Sequence, residues 1–579
     1  MKVPDMASMD TGENGMRKGL THYGDSQFSQ YLRDAFLGSI GLTRSASYRP
    51  VVGITNTFSD YNACHRAVPD LIQAVKRGVL MAGGLPMEFP VISLHEAFSY
   101  PSSMLLRNQM AMDVEEMIKA QAMDAVVLIG GCDKTVPALL MGAISANLPS
   151  ILLTAGPAMT GSFQGEPVGA CTDCRRFWAD YRADRRTKVE VEEANEQLVA
   201  SAGTCSVMGT ASTMACISEA MGLMLPGGAS ALSVSSERLR LAEKTGQRAV
   251  GLIQENLKPK DLLSEGSIRN AARMLQATGG STNGVIHLAA IAGRLGLEFD
   301  LRELNALGED VPMLANVKPS GQFYMEDFHK AGGVSRILKQ LQDRFELDCK
   351  TVTGKSLMET IDTQKLGFSQ NAIRDSDAPI YQSNAITAVF GNLAPEGAVI
   401  KRSSATESLL VHRGKAVVFD SLGDLSERID SDELEVTSSD VLILRNAGPI
   451  GAPGMPEAGF VPIPKKLARE GVRDMVRLSD ARMSGTAFGT TVLHISPESA
   501  AGGPLSLVED GDVIELNVPE QRIQLLVEES ELKERAVRAE KKDSKIQLPD
   551  RGYVRMYVEN VTQAHEGCDF GFLVPKKNK

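Results

Sequence analysis

A thiol, a carboxylate and an amine stand in direct succession at Cys132, Asp133 and Lys134. They follow two glycines and the apolar run DAVVLI (124–129), which predicts a buried strand that ends in a tight turn. Ligand sites in open α/β sheets form beyond the carboxyl ends of the strands. This turn is therefore the first candidate for a metal or catalytic site.

Two further cysteines share the loop-like surroundings of Cys132. Cys64 lies in NTFSDYNACHRAVPDL and Cys205 in ASAGTCSVMG, each among Gly, Asn, Ser or Thr residues. Free backbone N–H groups in such turns lower thiolate pKa values and tune the sulfurs of iron–sulfur clusters. The spacing of roughly seventy residues matches no zinc-finger pattern. A shared cluster and three unrelated buried thiols both remain open from the residues alone.

The remaining cysteines are weaker candidates. Cys171 and Cys174 form a C-x-x-C pair in CTDC, a spacing typical of redox or zinc half-sites. No second pair accompanies it, and we expect no strand–helix start immediately before it, so we leave it out of the predicted metal ligands. Cys216 is predicted to lie in the core, and Cys349 and Cys568 have no metal-like neighbours.

Carboxylates and a hydroxyl complete the set. Glu96 is predicted to end a strand in VISLHE, and Glu457 lies in the loop RNAGPIGAPGMPEAG. Mg²⁺ prefers oxygen ligands from a few carboxylates, water and substrate, although an isolated loop carboxylate is usually only solvated. Ser484, in DARMSGTAFGT, could be a nucleophile, a base or an anion binder. It lacks the G-x-S-x-G elbow of hydrolases.

Bulk composition narrows the class of protein. A chain of 579 residues is too long for one core, and its net charge of −11 argues against non-specific binding of nucleic acid. No apolar stretch approaches the roughly 18 residues that span a membrane. The first thirty residues lack a signal peptide and are expected to form a flexible start. Eight dispersed cysteines then indicate a cytoplasmic protein in a reducing compartment.

Element patterns predict an α/β protein with two domains. Strand-like and helical runs alternate from about residue 50 to 350, which predicts a doubly wound, mostly parallel sheet. Later, short strands separated by turns predict a smaller β-rich, barrel-like domain. We expect the α/β domain at 1–370, a linker at 371–385, and the β-rich domain with the serine at 386–579.

Together these stretches resemble the dehydratase family that contains dihydroxy-acid dehydratase, phosphogluconate dehydratase and the sugar-acid (aldonate) dehydratases. The resemblance covers about residues 30 to 570. Its motifs are GGCDKTVPALLMGA, ATGGSTNGVIHLAAIAGRLG, GNLAPEGAVIK, LRNAGPIGAPGMPE, SDARMSGTAFGTTVLHISPE and GGPLSLVEDGD.

The resemblance implies cofactors and their ligands. It implies an iron–sulfur cluster with the ligands Cys64, Cys132 and Cys205. The sugar-acid branch suggests a [2Fe–2S] cluster, and the alternative is [4Fe–4S]. The implied ligands of Mg²⁺ are Glu96, Asp133, Glu457 and Lys134, the lysine as a carbamate. One departure is His65, which stands where the family often has Asn. It could touch the cluster or substrate, or simply pack.

The resemblance also implies a reaction and its partners. Ser484 would take the C2 proton of a small 2,3-dihydroxy acid, the open iron would help the 3-hydroxyl leave, and Thr486 would line the pocket. The product would be a 2-keto-3-deoxy acid. A homodimer or homotetramer is implied, with no nucleic-acid or membrane partner.

Three alternatives for the function remain. The motifs SLHE and DARMSGTAFGT favour a sugar acid, such as arabinonate or xylonate, as the substrate. The first alternative is dihydroxy-acid dehydratase of branched-chain biosynthesis, which converts 2,3-dihydroxy-isovalerate to 2-ketoisovalerate. The others are a non-catalytic iron–sulfur electron-transfer or sensor protein, and a plain hydrolase.

Overall fold

The computed structural model describes residues 15–361, 368, 370–541 and 549–575. The strands of its first part are β1 (Val51–Asn56), β2 (Leu85–Pro90), β3 (Ala125–Gly130), β4 (Ser150–Thr154), β5 (Gly161–Phe163) and β6 (Glu166–Val168). The α-helices of this part are α1 (Ser26–Ser39), α2 (Val68–Met81), α3 (Arg107–Ala120), α4 (Thr135–Ala146), α5 (Thr172–Arg182), α6 (Lys188–Asn195), α7 (Thr210–Ala220), α8 (Ser236–Glu255), α9 (Pro259–Leu262), α10 (Glu265–Thr278), α11 (Asn283–Leu295), α12 (Leu301–Gly308), α13 (Met325–Lys330), α14 (Gly333–Gln340) and α15 (Leu357–Ile361).

The first four strands form a parallel sheet in the order β2-β1-β3-β4. Strand β3 is buried along its whole length and β1 nearly so, as continuous apolar runs require when both faces of a sheet are covered. Helix α2 packs against α8, and α3 packs against α4. The predicted doubly wound parallel sheet is confirmed. Its topology places the carboxyl ends of β1 to β4 along one edge.

The second part of the chain is a closed barrel of eight strands. Its strands are β7 (Thr387–Gly391), β8 (Ala394–Ile400), β9 (Val411–Phe419), β10 (Val441–Leu444), β11 (Arg477–Ser479), β12 (Thr491–Ser496), β13 (Val513–Asn517) and β14 (Arg522–Leu525). The helices here are α16 (Leu422–Arg428), α17 (Lys465–Arg469), α18 (Glu529–Lys541) and α19 (Tyr553–Asn560). The barrel order is β10-β11-β12-β8-β7-β14-β13-β9. The predicted barrel-like β-rich domain is confirmed.

Strands β9 to β12 form the parallel stretch of this barrel. The loops that follow β10 and β11 therefore leave the barrel at the same end. A second core of apolar side chains, which includes Val389, Val418 and Ile443, fills this part of the molecule. Across the described ranges, no helix is both long enough and apolar enough to cross a membrane.

The described start of the chain is fixed to the rest of the molecule at Gly15 and Lys18. The backbone N–H of Gly15 donates to the Asp124 carboxylate at 2.9 Å, and Lys18 forms an ion pair with the same carboxylate at 2.8 Å. The expectation of a flexible start is therefore wrong at Gly15 and Lys18, because Asp124 at the entry to β3 needs partners for its buried charge. Residues 1–14 lie outside the described part of the chain.

The segment predicted as a linker, 371–385, crosses the first part of the molecule. The backbone N–H of Ile380 donates to the Met313 carbonyl, and that of Asn316 donates to the Ala372 carbonyl, each at 2.9 Å. The segment is thus fixed by backbone hydrogen bonds. The domain boundaries themselves stay predictions.

His65 fixes the turn that follows β3. Its Nε2 accepts the backbone N–H groups of Gly131 and Cys132 at 2.8 and 3.0 Å, while its Nδ1 lies 2.8 Å from the Thr57 carbonyl oxygen, to which it donates. A ring nitrogen that accepts two hydrogen bonds is unprotonated, and burial lowers the pKa of His65 to about 4. Of the roles left open by the sequence, His65 therefore supports the backbone that presents Cys132.

We expect His65→Phe to destabilise the protein, because the phenyl ring keeps the volume but leaves two buried N–H groups without an acceptor. Each such group costs about 1–3 kcal/mol. Urea denaturation of the metal-free protein measures the free energy of unfolding. His65→Gln supplies an amide oxygen and should recover part of the loss. A His65→Phe protein as stable as its parent would show that these hydrogen bonds contribute nothing.

Candidate active site

Loops from both parts of the chain meet beyond the carboxyl ends of the parallel strands. Lys134, in the turn after β3, lies 3.4 Å from Glu457, which belongs to the loop after β10. Arg482, in the loop between β11 and β12, lies 2.9 Å from Glu96 of the first part. These two ion pairs join the sheet to the barrel. The candidate active site lies around them.

Lys134 is enclosed by three carboxylates. Its Nζ lies 2.5 Å from Asp133 Oδ2 and 3.3 Å from Glu96 Oε2, and Glu457 Oε1 is the third contact. The Lys134 side chain is 1 % exposed. Burial and the charge of Arg482 oppose the ammonium, yet the three carboxylates raise the pKa of Lys134 above its usual value. In this arrangement the lysine is a buried counter-ion.

Glu96 occupies a different local structure from the one predicted. Strand β2 ends at Pro90, and Glu96 begins a short 3-10 helix, 96–98, so the expectation that it ends a strand is wrong. Its carboxylate accepts from Ser102 Oγ at 3.0 Å and from the backbone N–H and hydroxyl of Ser103. Burial opposes its charge, but Lys134 and Arg482 hold the pKa of Glu96 well below its usual value.

Arg482 was missed by sequence reasoning. Its side chain is 1 % exposed and donates to Glu457 Oε1 at 2.6 Å, to Glu96 Oε1 at 2.9 Å and to Ser102 Oγ at 2.7 Å. The only signal in the sequence was its place two residues before Ser484. The bidentate geometry of a guanidinium suits two carboxylates that come from separate loops.

The carboxylates fit a hard divalent cation only if Lys134 changes its charge. Within the described ranges, no three His, Cys, Asp or Glu side chains surround a point where a single metal ion would sit. The Lys134 amine lies between the carboxylates instead. A carbamate on Lys134 would replace that cation by oxygen ligands, which Mg²⁺ prefers. The donor set therefore fits Mg²⁺ with a carbamylated lysine and not with an ammonium.

The three predicted cluster cysteines are brought together. Cys64 and Cys132 are buried next to one another, and Cys205 is close enough for the charge of Cys64 to act on it. The Cys132 thiol also donates to Asp133 Oδ1 at 3.5 Å, which places the thiols directly beside the carboxylates. A multi-iron cluster binds thiolates that do not converge on one point, so this group fits such a cluster.

His95 is a second residue that the sequence did not reveal. Its Nδ1 accepts the backbone N–H of Ala97 at 3.2 Å, and its side chain lies next to Cys64. The contact with Cys64 raises the pKa of His95. Its position next to Glu96 was the only available signal.

Cys171 lies with the other thiols, although the sequence analysis left it out. It caps the N-terminus of α5 and follows the β5–β6 hairpin, so the expectation that no strand–helix start precedes CTDC is wrong. Its thiol lies next to Cys174 and Cys205. Sequence spacing gave no sign of this, because the fold brings separate loops together here. Cys216 lies in the core as predicted.

Ser484 presents a partly exposed hydroxyl. Its Oγ lies 2.8 Å from the buried hydroxyl of Thr486. The loop that carries it, residues 480–490, is tightly packed: a Cβ on Gly485 would lie 2.4 Å from the Ser281 hydroxyl, and Asn283 donates to the Met483 carbonyl at 3.0 Å. The hydroxyl pair is thus fixed in position and open on one side.

Both parts of the chain match one family of known proteins. The family described as dihydroxy-acid/6-phosphogluconate dehydratase, N-terminal, matches residues 49–360. Its C-terminal counterpart matches residues 371–568. The two matches together cover the sheet, the barrel and every residue of the site.

Curated relatives match over nearly their full lengths. L-arabinonate dehydratase of Rhizobium leguminosarum is 44% identical over 91% of this chain and 90% of its own. The 6-deoxy-6-sulfo-D-gluconate dehydratase of Pseudomonas putida is 42% identical over 93% of both chains. Dihydroxy-acid dehydratase of Carboxydothermus hydrogenoformans is 35% identical over 95% of this chain and 99% of its own. This chain belongs to the dihydroxy-acid/6-phosphogluconate dehydratase family.

Proposed function

We propose that the protein is a hydro-lyase that removes water from a 2,3-dihydroxy sugar acid, such as arabinonate or xylonate, to give a 2-keto-3-deoxy acid. The observation that carries this proposal is the fixed Ser484–Thr486 hydroxyl pair on the loop whose Arg482 closes the carboxylate group. The relatives named as sugar-acid dehydratases support the substrate class, since they are 42 to 44% identical against 35% for the dihydroxy-acid dehydratase.

Two cofactors are part of the proposal. Mg²⁺ would be held by Glu96, Asp133, Glu457 and carbamylated Lys134, and a [2Fe–2S] cluster, or alternatively a [4Fe–4S] cluster, by Cys64, Cys132 and Cys205. When bound, these groups supply Lewis-acid stabilisation of negative charge on the substrate carboxylate and hydroxyl oxygens. The chain contributes position and proton transfer.

Ser484 is the proposed base for the C2 proton, which is weakly acidic because it is α to the carboxylate. As an alkoxide, Ser484 Oγ would accept the Thr486 hydroxyl at 2.8 Å and the more distant Thr486 N–H at 3.4 Å. Hydrogen bonds to the charged form favour that form. The C3 hydroxyl then leaves and takes up the proton held by Ser484, which releases water and restores the alkoxide. The resulting enol tautomerises to the 2-keto acid without net oxidation or reduction.

The compartment and the assembly are also part of the proposal. All eight cysteines are free thiols, which suits a reducing compartment such as the cytoplasm. A homodimer or homotetramer remains our expectation for the assembly.

A substrate panel tests the proposed function. Anaerobically prepared, cluster-loaded protein with Mg²⁺ should convert aldonates with a higher kcat/KM than 2,3-dihydroxy-isovalerate, as followed by 2-keto-acid formation. The reverse order would make it a dihydroxy-acid dehydratase. Loaded protein that turns over neither class would contradict dehydration, and reversible reduction of its cluster would then favour electron transfer.

Ser484→Ala should lower kcat by about 10²- to 10⁴-fold, the usual contribution of a general base. Iron content and melting temperature should stay those of the parent, because the side chain is partly exposed and removes no packing. The matched control is Ser506→Ala, which removes a hydroxyl that bonds only to the nearby Gly503 carbonyl. Undiminished turnover by the Ser484→Ala protein would exclude the serine as base.

The carbamate predicts a dependence on bicarbonate. Protein stripped of divalent cations and equilibrated in CO₂-free buffer should regain little activity with Mg²⁺ alone and full activity with Mg²⁺ plus bicarbonate. With ¹³C-bicarbonate, a carbamate carbon signal should appear in the NMR spectrum of the parent and be missing in Lys134→Gln. Full recovery in CO₂-free buffer would show that Lys134 acts as a free amine.

A further inference from the structure

A fourth thiol stands among the three predicted cluster ligands. Cys171 lies beside Cys205, just as Cys64 lies beside Cys132. The charge of His95, which is next to Cys64, also acts on Cys171. The loops after β1 and β3, the segment after the β5–β6 hairpin and the segment before α7 thus bring four thiols together in two neighbouring pairs, where the sequence predicted three separate ligands.

We propose that Cys171 is a fourth thiolate ligand of the iron–sulfur cluster when no substrate is bound. This inference rests on the proposed cluster of the proposed function. A [2Fe–2S] cluster bound only by protein takes four thiolates, two for each iron. The pairs Cys64–Cys132 and Cys171–Cys205 match that requirement in number and in arrangement. Three cysteines alone would leave one iron without its second protein ligand.

Contacts on several sides hold the Cys171 segment in place. A Cβ on Gly169 would lie 2.2 Å from the hydroxyl of Ser206, so this backbone lies directly against the segment that carries Cys205. Asp173 forms an ion pair with Lys318 at 3.0 Å and accepts from Tyr324 at 2.8 Å. Cys171 is therefore presented to Cys205 by a rigid support.

The same segment touches the catalytic loop. The Thr172 hydroxyl donates to the backbone carbonyl of Thr486 at 3.0 Å. This hydrogen bond joins the residue after Cys171 to Thr486, the hydroxyl partner of Ser484. A cluster ligand that substrate displaces is expected to lie here, between the cluster cysteines and the hydroxyl pair.

Positive groups lie close to Cys171. The charge of Arg175, near the start of α5, acts on its thiol. Cys171 also occupies the N-cap position of α5, a helix of 11 residues whose N-terminus adds positive potential. Cys174 lies on the first turn of the same helix.

Ligation by Cys171 has two consequences. The Cys171 thiolate would occupy the position at the iron that substrate needs, so substrate would compete with Cys171. With Cys171 bound, the cluster would also present no open iron to oxygen. Removal of the thiol should therefore change the spectrum of the resting cluster, shorten its lifetime in air and lower the KM for substrate.

The test compares anaerobically reconstituted Cys171→Ser and Cys171→Ala with the parent. Cys174→Ser controls for the neighbouring thiol of the same motif. Cys349→Ser controls for a thiol elsewhere in the fold, next to Ser264. The measurements are iron and sulfide per chain, the absorption spectrum, the EPR spectrum of the dithionite-reduced cluster, and the half-life of the visible absorption in air. Both Cys171 variants should show shifted spectra and a several-fold shorter half-life, and both controls should match the parent.

Two results would overturn the inference. One is a cluster in the Cys171 variants with the spectra and half-life of the parent, and the other is a spectral shift confined to Cys174→Ser. A Cys171 variant that folds, by its melting temperature, but binds less iron than both controls supports ligation. The 2-keto-acid assay separates this inference from the proposed function, because turnover by the Cys171 variants upholds dehydration whichever spectrum they give.

Discussion

The burial of three carboxylates at one point is the constraint on which the rest of the site depends. Glu96, Asp133 and Glu457 come from three loops, and their like charges would repel one another strongly in a poorly solvated interior. Lys134 and Arg482 make their approach possible. Each cation contacts carboxylates of both parts of the chain, so the charges that permit the site also bind the barrel to the sheet.

Parallel strands explain why so many loops reach this point. The carboxyl ends of β1 to β4 share one edge, and from that edge come the loops with Cys64, Glu96 and the Cys132 turn. The barrel is mixed, but its strands β9 to β12 are parallel, so the loops after β10 and β11 also leave on one side. A wholly antiparallel barrel would place successive loops at alternating ends and separate Glu457 from Ser484.

Much of this arrangement could be predicted from the sequence. Continuous apolar runs indicated β1, β3 and β4 because parallel strands are covered on both faces, and the short strands after residue 385 indicated the barrel. The turn at Cys132 was recognisable because chemistry-bearing residues are adjacent there. Local patterns revealed these features because local geometry determines them.

The remaining features depend on contacts between distant residues. Arg482 joins Glu96 across a separation of 386 residues, and no periodicity encodes such a pair. His95 and Cys171 lie beside Cys64 and Cys205 because the fold brings their separate loops together. Glu96 was placed on a strand because VISLHE is apolar, but β2 ends at Pro90 and the chain turns away from the sheet there.

The charges around Lys134 also constrain how a metal could enter. Three carboxylates with one ammonium and one guanidinium carry a single net negative charge. A carbamate in place of the ammonium, together with a divalent cation, leaves that net charge unchanged. Either step alone is unfavourable, since a carbamate without the cation adds a fourth anion and the cation without the carbamate meets an ammonium. In the metal-free chain, the Lys134 ammonium is the counter-ion that allows the three carboxylates to be buried together. Carbamylation of Lys134 and metal binding therefore have to be coupled.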